Sequence, residues 1–178
     1  MLKMNYENLS KKYLLLDTNI LVDYSKYIPF FEGFFDNLQK NAITTVISPI
    51  TRIEFLRFAA SPEEKQSFEE FISPHFLLPP VPEISSDAEL IGNFYNWELK
   101  NNKIELGDLF LAATMKKFNE KQSENLYLAT MNHKDFPRIL FKRIGHETID
   151  IETSEFKNIG IYAFDLKNYK LICEKYQK

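Results

Sequence analysis

The segment Tyr13-Leu14-Leu15-Leu16-Asp17 constrains this chain more than any other. A short apolar run stops abruptly at a carboxylate, and the small polar residues Thr18 and Asn19 follow. That is the form of a buried parallel strand presenting an acid at its carboxyl end, the edge where open α/β sheets bind ligands. The rest of the sequence agrees, because strand-like runs and helical patterns alternate along it. Strands are expected at residues 14–17, 42–47, 126–130, 148–151 and 159–164. Helices are expected at residues 19–25, 31–40, 50–60, 62–72, 86–100, 106–118 and 166–176. Ser48-Pro49 and Ser61-Pro62-Glu63-Glu64 each place a capping side chain before a proline at the first helical position. Pro79, Pro80 and Pro82 form a stiff connector, read as a loop between the two halves of the sheet. The expected class is α/β: three layers, α/β/α, around a central and mainly parallel sheet.

With 178 residues, one domain covering 1–178 is expected, with a core at about 13–140 and further strands and a helix in 141–178. A hydrophobic share of 44% with only 5 Gly argues against long disorder. There is no apolar run of about 18 residues, so no membrane-spanning helix is expected. Lys3, Lys11 and Lys12 precede the first apolar run, but that run breaks at Asp17 and no small-residue cleavage site follows. The expected location is therefore cytoplasmic. The lone Cys173 excludes an internal disulfide and a cysteine-cluster metal site. A net charge of −3 speaks against a non-specific nucleic-acid binder. It leaves room for an enzyme that meets nucleic acid through a local basic patch.

Four acids fall where a site could form: Asp17 at the end of the first strand, Glu54 in the helix after the second, Asp108 in a later helix, and Asp135 after the strand at 126–130. Asp108 stands among Leu109, Leu111, Ala112 and Ala113, where a bare carboxylate is costly. In a right-handed βαβ arrangement all four can reach one sheet edge. Two carboxylates about 4 Å apart repel by roughly 4 kcal/mol at an effective dielectric of 20, so such a cluster takes up protons or a hard divalent cation.

These residues carry a family resemblance. Leu-Asp-Thr-Asn-Ile-Leu at 16–21, Ser-Pro-Ile-Thr-Arg-Ile-Glu at 48–54, Leu-Gly-Asp-Leu-Phe-Leu-Ala-Ala at 106–113 and Leu-Ala-Thr-Met-Asn-His-Lys-Asp-Phe at 128–136 resemble, in that order, the motifs of PIN-domain ribonucleases. The likeness is greatest to the VapC-type toxins of bacterial toxin–antitoxin pairs. It implies a metal-dependent endoribonuclease, with Asp17, Glu54 and Asp108 as Mg²⁺ or Mn²⁺ ligands and catalytic acids. The fourth family acid falls near Asn132 or Asp135. Asp135 is taken as the ligand and Asn132 as a polar helper. Asn19, Thr51 and Thr130 would hold carboxylates or a phosphate, and Arg57, Lys116, Lys134 and Arg138 are candidates for RNA contact, together with Lys117 and Lys121. The resemblance also implies a homodimer and a small antitoxin protein as partners.

Two other functions fit parts of the pattern. An aspartyl-phosphate phosphatase also uses a strand-end aspartate, but it wants a second acid where this chain has Asn19. A catalytically silent PIN-like scaffold that binds RNA or protein would follow if Asn132 replaces an essential ligand and Asp135 points away. Taken alone, Asp17 could simply cap a helix and Glu54 could pair with Arg57.

Overall fold

The computed structural model describes residues 3–80, 84–99, 104–122, 125–152 and 155–176. Pro82 of the expected connector and Lys100, the expected end of the fifth helix, lie outside them. Six strands are found: β1 (Tyr13–Leu16), β2 (Thr44–Ile47), β3 (Phe76–Leu77), β4 (Leu126–Thr130), β5 (Phe141–Glu152) and β6 (Glu155–Phe164). They form one sheet in the order β3-β2-β1-β4-β6-β5. The pairs β1–β2, β1–β4 and β2–β3 are parallel, while β6 runs antiparallel to both β4 and β5.

The helices are α1 (Thr18–Lys26), α2 (Ile28–Lys40), α3 (Pro49–Leu56), α4 (Pro62–Ile72), α5 (Ile84–Leu99), α6 (Leu106–Gln122) and α7 (Leu166–Tyr176). The caps act as expected: Ser48 Oγ accepts from the Thr51 amide and Ser61 Oγ from the Glu64 amide. Strand side chains alternate between two cores. Leu15, Val46, Leu126 and Leu128 pack with α5, α6 and α7, whereas Leu14, Leu16, Ile47 and Ala129 pack with α1, α2 and Phe55 of α3. That division makes three layers, with the mainly parallel sheet in the middle. No helix among the described residues is long and apolar enough to cross a membrane.

Leu128 is fully buried at the centre of the sheet. Leu128→Ala is expected to cost about 2–5 kcal/mol, read as a lower urea midpoint with little change in slope.

The topology fixes where a ligand can sit. The chain leaves β1 toward β2 on one side, and β4 pairs on the other, so the strand order reverses between β1 and β4. A crevice at the carboxyl ends of the strands is the geometric consequence. The C-terminal hairpin extends this edge: Thr130 pairs with Gly160 and Gly160 with His146, and the β5–β6 ladder continues to Glu152 and Glu155. Several features differ from the sequence reading, among them an α3 that ends at Leu56 rather than 60 and a β6 that begins at Glu155 rather than 159. β5 begins at Phe141 rather than 148, the two-residue β3 was not expected, and α6 runs on to Gln122.

Candidate active site

The carboxyl ends of β1 and β4 open into a cavity of about 320 Å³ whose lining includes Asp17, Glu54, Asp108 and Asn132. Asp17 occupies the cap position of α1 but makes no capping hydrogen bond from its side chain. Its Oδ2 instead accepts from Thr130 Oγ1 at 2.6 Å and from Asn19 Nδ2 at 2.6 Å. Asn19 Oδ1 in turn accepts from the Met131 amide at 3.2 Å, which ties α1 to the end of β4. Two strand ends are therefore laced together around one carboxylate.

Glu54 arrives from α3. Thr18 Oγ1 donates to its Oε2 at 2.5 Å. Its carboxylate also lies over Gly107, where any Cβ would collide with it. Asp108 stands in the first turn of α6, mostly buried. Among the described residues, no three acidic, histidine or cysteine side chains are drawn together as a ready metal cage. The acids form an open basin, as mutually repelling carboxylates do.

Residues 14–142 match the PIN domain family. The chain belongs to the PIN-domain family. No curated protein matches it in sequence. Among solved structures it is similar to VapBC-1 from nontypeable Haemophilus influenzae, determined at 2.2 Å, with 22% identity over 69% of this chain and 89% of that chain and a TM-score of 0.55. That likeness shows a shared fold. Proteins of the PIN family are generally nucleases and typically use divalent metal ions.

The electrostatics of this PIN domain centre on its acids. Asp17, Asp23, Glu54, Glu105 and Asp108 line the cavity, and Arg57 is the cation among the lining residues. Burial pushes the Asp17 carboxyl up to about 6, with hydrogen bonds from Thr130 and Asn19 working against the shift and Glu54 adding to it. Burial also lifts Asp108 to about 8, reinforced by the charges of Asp17, Asp135, Glu105 and Glu54. Groups held this far from their ordinary range are typical of functional sites, and a positive ligand would relieve them. Two observations fit a hard divalent cation: the donors are all oxygens, and Gly107 leaves a cradle for the Glu54 carboxylate that a Cβ would fill.

The remaining expected residues divide. Asn19, Thr130 and Asn132 gather at the site, and Arg57 stands exposed on its rim. Asp135 does not line the cavity. It is buried behind Asn132, whose Nδ2 donates to Asp135 Oδ2 at 2.5 Å. Thr51 meets no carboxylate: its hydroxyl bonds Ser48 Oγ at 2.9 Å and reaches the Leu16 carbonyl at 3.4 Å, fastening α3 to β1.

Lys116 is a correction. It is buried against α5, paired with Asp87 at 2.9 Å and Glu120 at 3.0 Å, and its ammonium lies over the Tyr169 ring, so it cannot meet a substrate. Lys117 also pairs with Asp87, at 3.2 Å. Lys121, Lys134 and Arg138 are exposed and do not line the cavity.

Sequence reasoning missed Thr18, Gly107 and the Asp23–Lys157 ion pair at 3.2 Å. Gly107 had a readable signal, a glycine in a helical first turn beside the buried Asp108. Lys157 had none, because only the folded hairpin brings it to α1.

Gly107→Ala tests the cradle. Alanine is the better helix former, by up to about 1 kcal/mol in an interior position, so stability should hold or rise. Displacement of the Glu54 carboxylate is expected to weaken Mn²⁺ binding in calorimetry by about tenfold or more.

Proposed function

We propose that this protein is a metal-dependent endoribonuclease that hydrolyses RNA phosphodiester bonds, acting as the toxin of a toxin–antitoxin pair. The observation that carries the reading is the convergence of Asp17, Glu54 and Asp108 on one cavity at the β1/β4 switch point, with Asp17 and Asp108 both held far above the usual carboxylate range. Asp17, Glu54 and Asp108 would hold the cation, with Asn132 beside them. When bound, Mg²⁺ or Mn²⁺ supplies a Lewis acid that makes water nucleophilic near neutral pH and offsets charge on the scissile phosphate.

The chain's own residues do the positioning. Thr130 and Asn19 orient Asp17, Thr18 holds Glu54, and the buried α6 fixes Asp108. Arg57 on the rim is placed to meet a phosphate next to the scissile one, with Lys134 and Arg138 farther out along the RNA. The acidic basin would also receive an arginine from a small antitoxin, since guanidinium–carboxylate pairs are strong where water is excluded. A second copy of the chain is the other partner this reading implies, and a cytoplasmic location follows from the same RNA substrate.

Incubating the protein with single-stranded RNA and Mg²⁺ or Mn²⁺ should release defined fragments, and chelation should stop the reaction. An intact RNA pool over a range of sequences would sink the proposal.

One observation favours a second reading. Asn132 lies at the cavity and Asp135 outside it, the arrangement expected of a catalytically silent PIN scaffold. Calorimetry with Mn²⁺ separates the two, because a silent scaffold shows no site-specific heat.

A further inference from the structure

Asp135 is a deeply buried acid close to the cavity that does not line it. It sits on a short turn, residues 133–135, that is anchored on several sides. Tyr95 Oη of α5 donates to the Asp135 carbonyl at 2.8 Å, and Phe136 packs edge-on against Phe141. The next-door His133 lies within hydrogen-bond distance of Tyr162 Oη, at 3.0 Å, on β6. The turn is thus braced by α5, β5 and β6, and Asp135 points back from it to Asn132.

The Asn132 carboxamide has two ends, and its surroundings decide which faces where. Its Nδ2 lies 2.5 Å from Asp135 Oδ2 and 3.5 Å from Asp108 Oδ2. An amide oxygen turned toward two carboxylates would be repelled, whereas an NH₂ group can donate one hydrogen to each. The Asn132 amide also donates to Thr130 Oγ1 at 2.9 Å, so the main chain is held as well. With Nδ2 turned to Asp135 and Asp108, Oδ1 is the end of the carboxamide left to meet a cation.

We infer that Asp135 is a positioning residue: it orients the Asn132 carboxamide so that the neutral oxygen Oδ1, rather than a fourth carboxylate, completes the donor set of the pocket. The inference rests on the nuclease reading for its consequence but not for its geometry. A neutral fourth donor adds an oxygen to the pocket without placing a further negative charge in its lining. A buried carboxylate behind it supplies a charge-assisted hydrogen bond that locks the amide in one orientation.

The two roles for Asp135 make opposite statements about a conservative change. Asparagine at 135 still offers an oxygen to Asn132 Nδ2 but no charge, while leucine offers neither. Asp135→Asn, Asp135→Leu, Asn132→Ala and the double variant Asn132→Ala/Asp135→Leu are compared by three readouts. These are the Asn132 side-chain NH₂ signals of the metal-free protein by NMR, Mn²⁺ affinity by calorimetry, and kcat on RNA.

Positioning predicts that Asp135→Asn keeps Mn²⁺ affinity and kcat within about fivefold and keeps the shifted, slowly exchanging Asn132 NH₂ signals. Asp135→Leu should lose both signals and about tenfold or more in affinity and kcat, falling to the level of Asn132→Ala. The double variant should be no worse than Asn132→Ala, since both changes remove one effect. The inference is overturned if Asp135→Asn is as damaged as Asp108→Asn, or if the two single losses add. Unchanged NH₂ signals in a folded Asp135→Leu protein would also overturn it. Should the leucine variant not fold, Asp135→Asn alone decides. If the wild type neither binds Mn²⁺ nor cuts RNA, the nuclease reading fails while the NH₂ signals still decide the positioning role.

Discussion

Asp108→Asn is expected to abolish RNA cleavage, by at least about 10²–10³-fold in kcat, while leaving a folded protein. Asp17→Asn should do the same. The size follows from where these groups stand. Asp108 is buried in the first turn of α6, where the charges of Asp17 and Glu54 act on it. Asparagine keeps the shape and removes the charge, so a bound cation loses a ligand and its counter-charge together. The fold should survive because the ionised acids cost stability rather than adding it. The measurement is a cleavage time course with Mg²⁺, paired with circular dichroism and a thermal melt. Full activity in either variant would remove the metal site from the mechanism. A milder, mainly KM effect is expected for Arg57→Ala, since that guanidinium is exposed on the rim and takes no part in holding the acids.

Much of the fold was readable because single segments carried complete local signals. The apolar run at 126–130 and the helical pattern at 166–176 coincide with β4 and α7. At β1 and α1 the boundary moved by one residue, since Asp17 leaves the strand and becomes the cap position. β5 was half hidden for a physical reason. Lys142, Arg143, His146 and Glu147 break its apolar run, and as the edge strand, laddered with β6 and meeting only a single bridge from Lys3 on its other side among the described residues, it can keep one side polar. Its register also slips between Arg143 and Gly145 and between Asp150 and Glu152, which spoils strict alternation. β3 has two residues, too few for any period.

At the candidate site, the sequence proposed Asp17, Glu54 and Asp108, which line one cavity, and took Asp135 over Asn132 as the fourth ligand. Three residues apart, they are both candidates until the turn between them is built. The turn sends Asn132 to the cavity and Asp135 behind it. Lys116 misled for a related reason: from sequence a lysine in α6 looks solvated, but Asp87, 29 residues earlier, draws it inward.

The metal-free protein should lose stability across about pH 4–8 as two buried acids ionise, and a buried histidine opposes that loss below about pH 6.5. Asp17 and Asp108 are raised in the folded state, to about 6 and about 8. A group whose folded value lies above its unfolded value contributes stability that is fully present below the unfolded value and lost as pH rises through the folded one. Their contribution should therefore fall as pH climbs from about 4, ending near 6 for Asp17 and near 8 for Asp108. The full shift on Asp108 would exceed 5 kcal/mol, at about 1.4 kcal/mol per unit. The basin is open and its carboxylates can relax apart, so a loss of about 1–3 kcal/mol is the realistic size.

His75 works from the other side. Burial lowers it to about 4, its Nδ1 contacts Thr45 Oγ1 at 2.7 Å, and its Nε2 has no partner among the described residues. Its contribution is present above the ordinary imidazole value of about 6.5 and is lost as pH falls through 4. Thermal melts of the metal-free protein across pH 4–9 should show the acids' loss partly offset by His75 up to about pH 6.5, then an unopposed alkaline limb ending near pH 8. Asp108→Asn should flatten the alkaline limb and leave the His75 contribution alone. Saturating Mg²⁺ should reverse the alkaline limb, because binding only to the folded state adds RT ln(1 + [Mg²⁺]/Kd) and binds best to ionised acids. A wild-type alkaline limb that ignores both Asp108→Asn and Mg²⁺ would mean that these acids neither repel one another nor meet a cation.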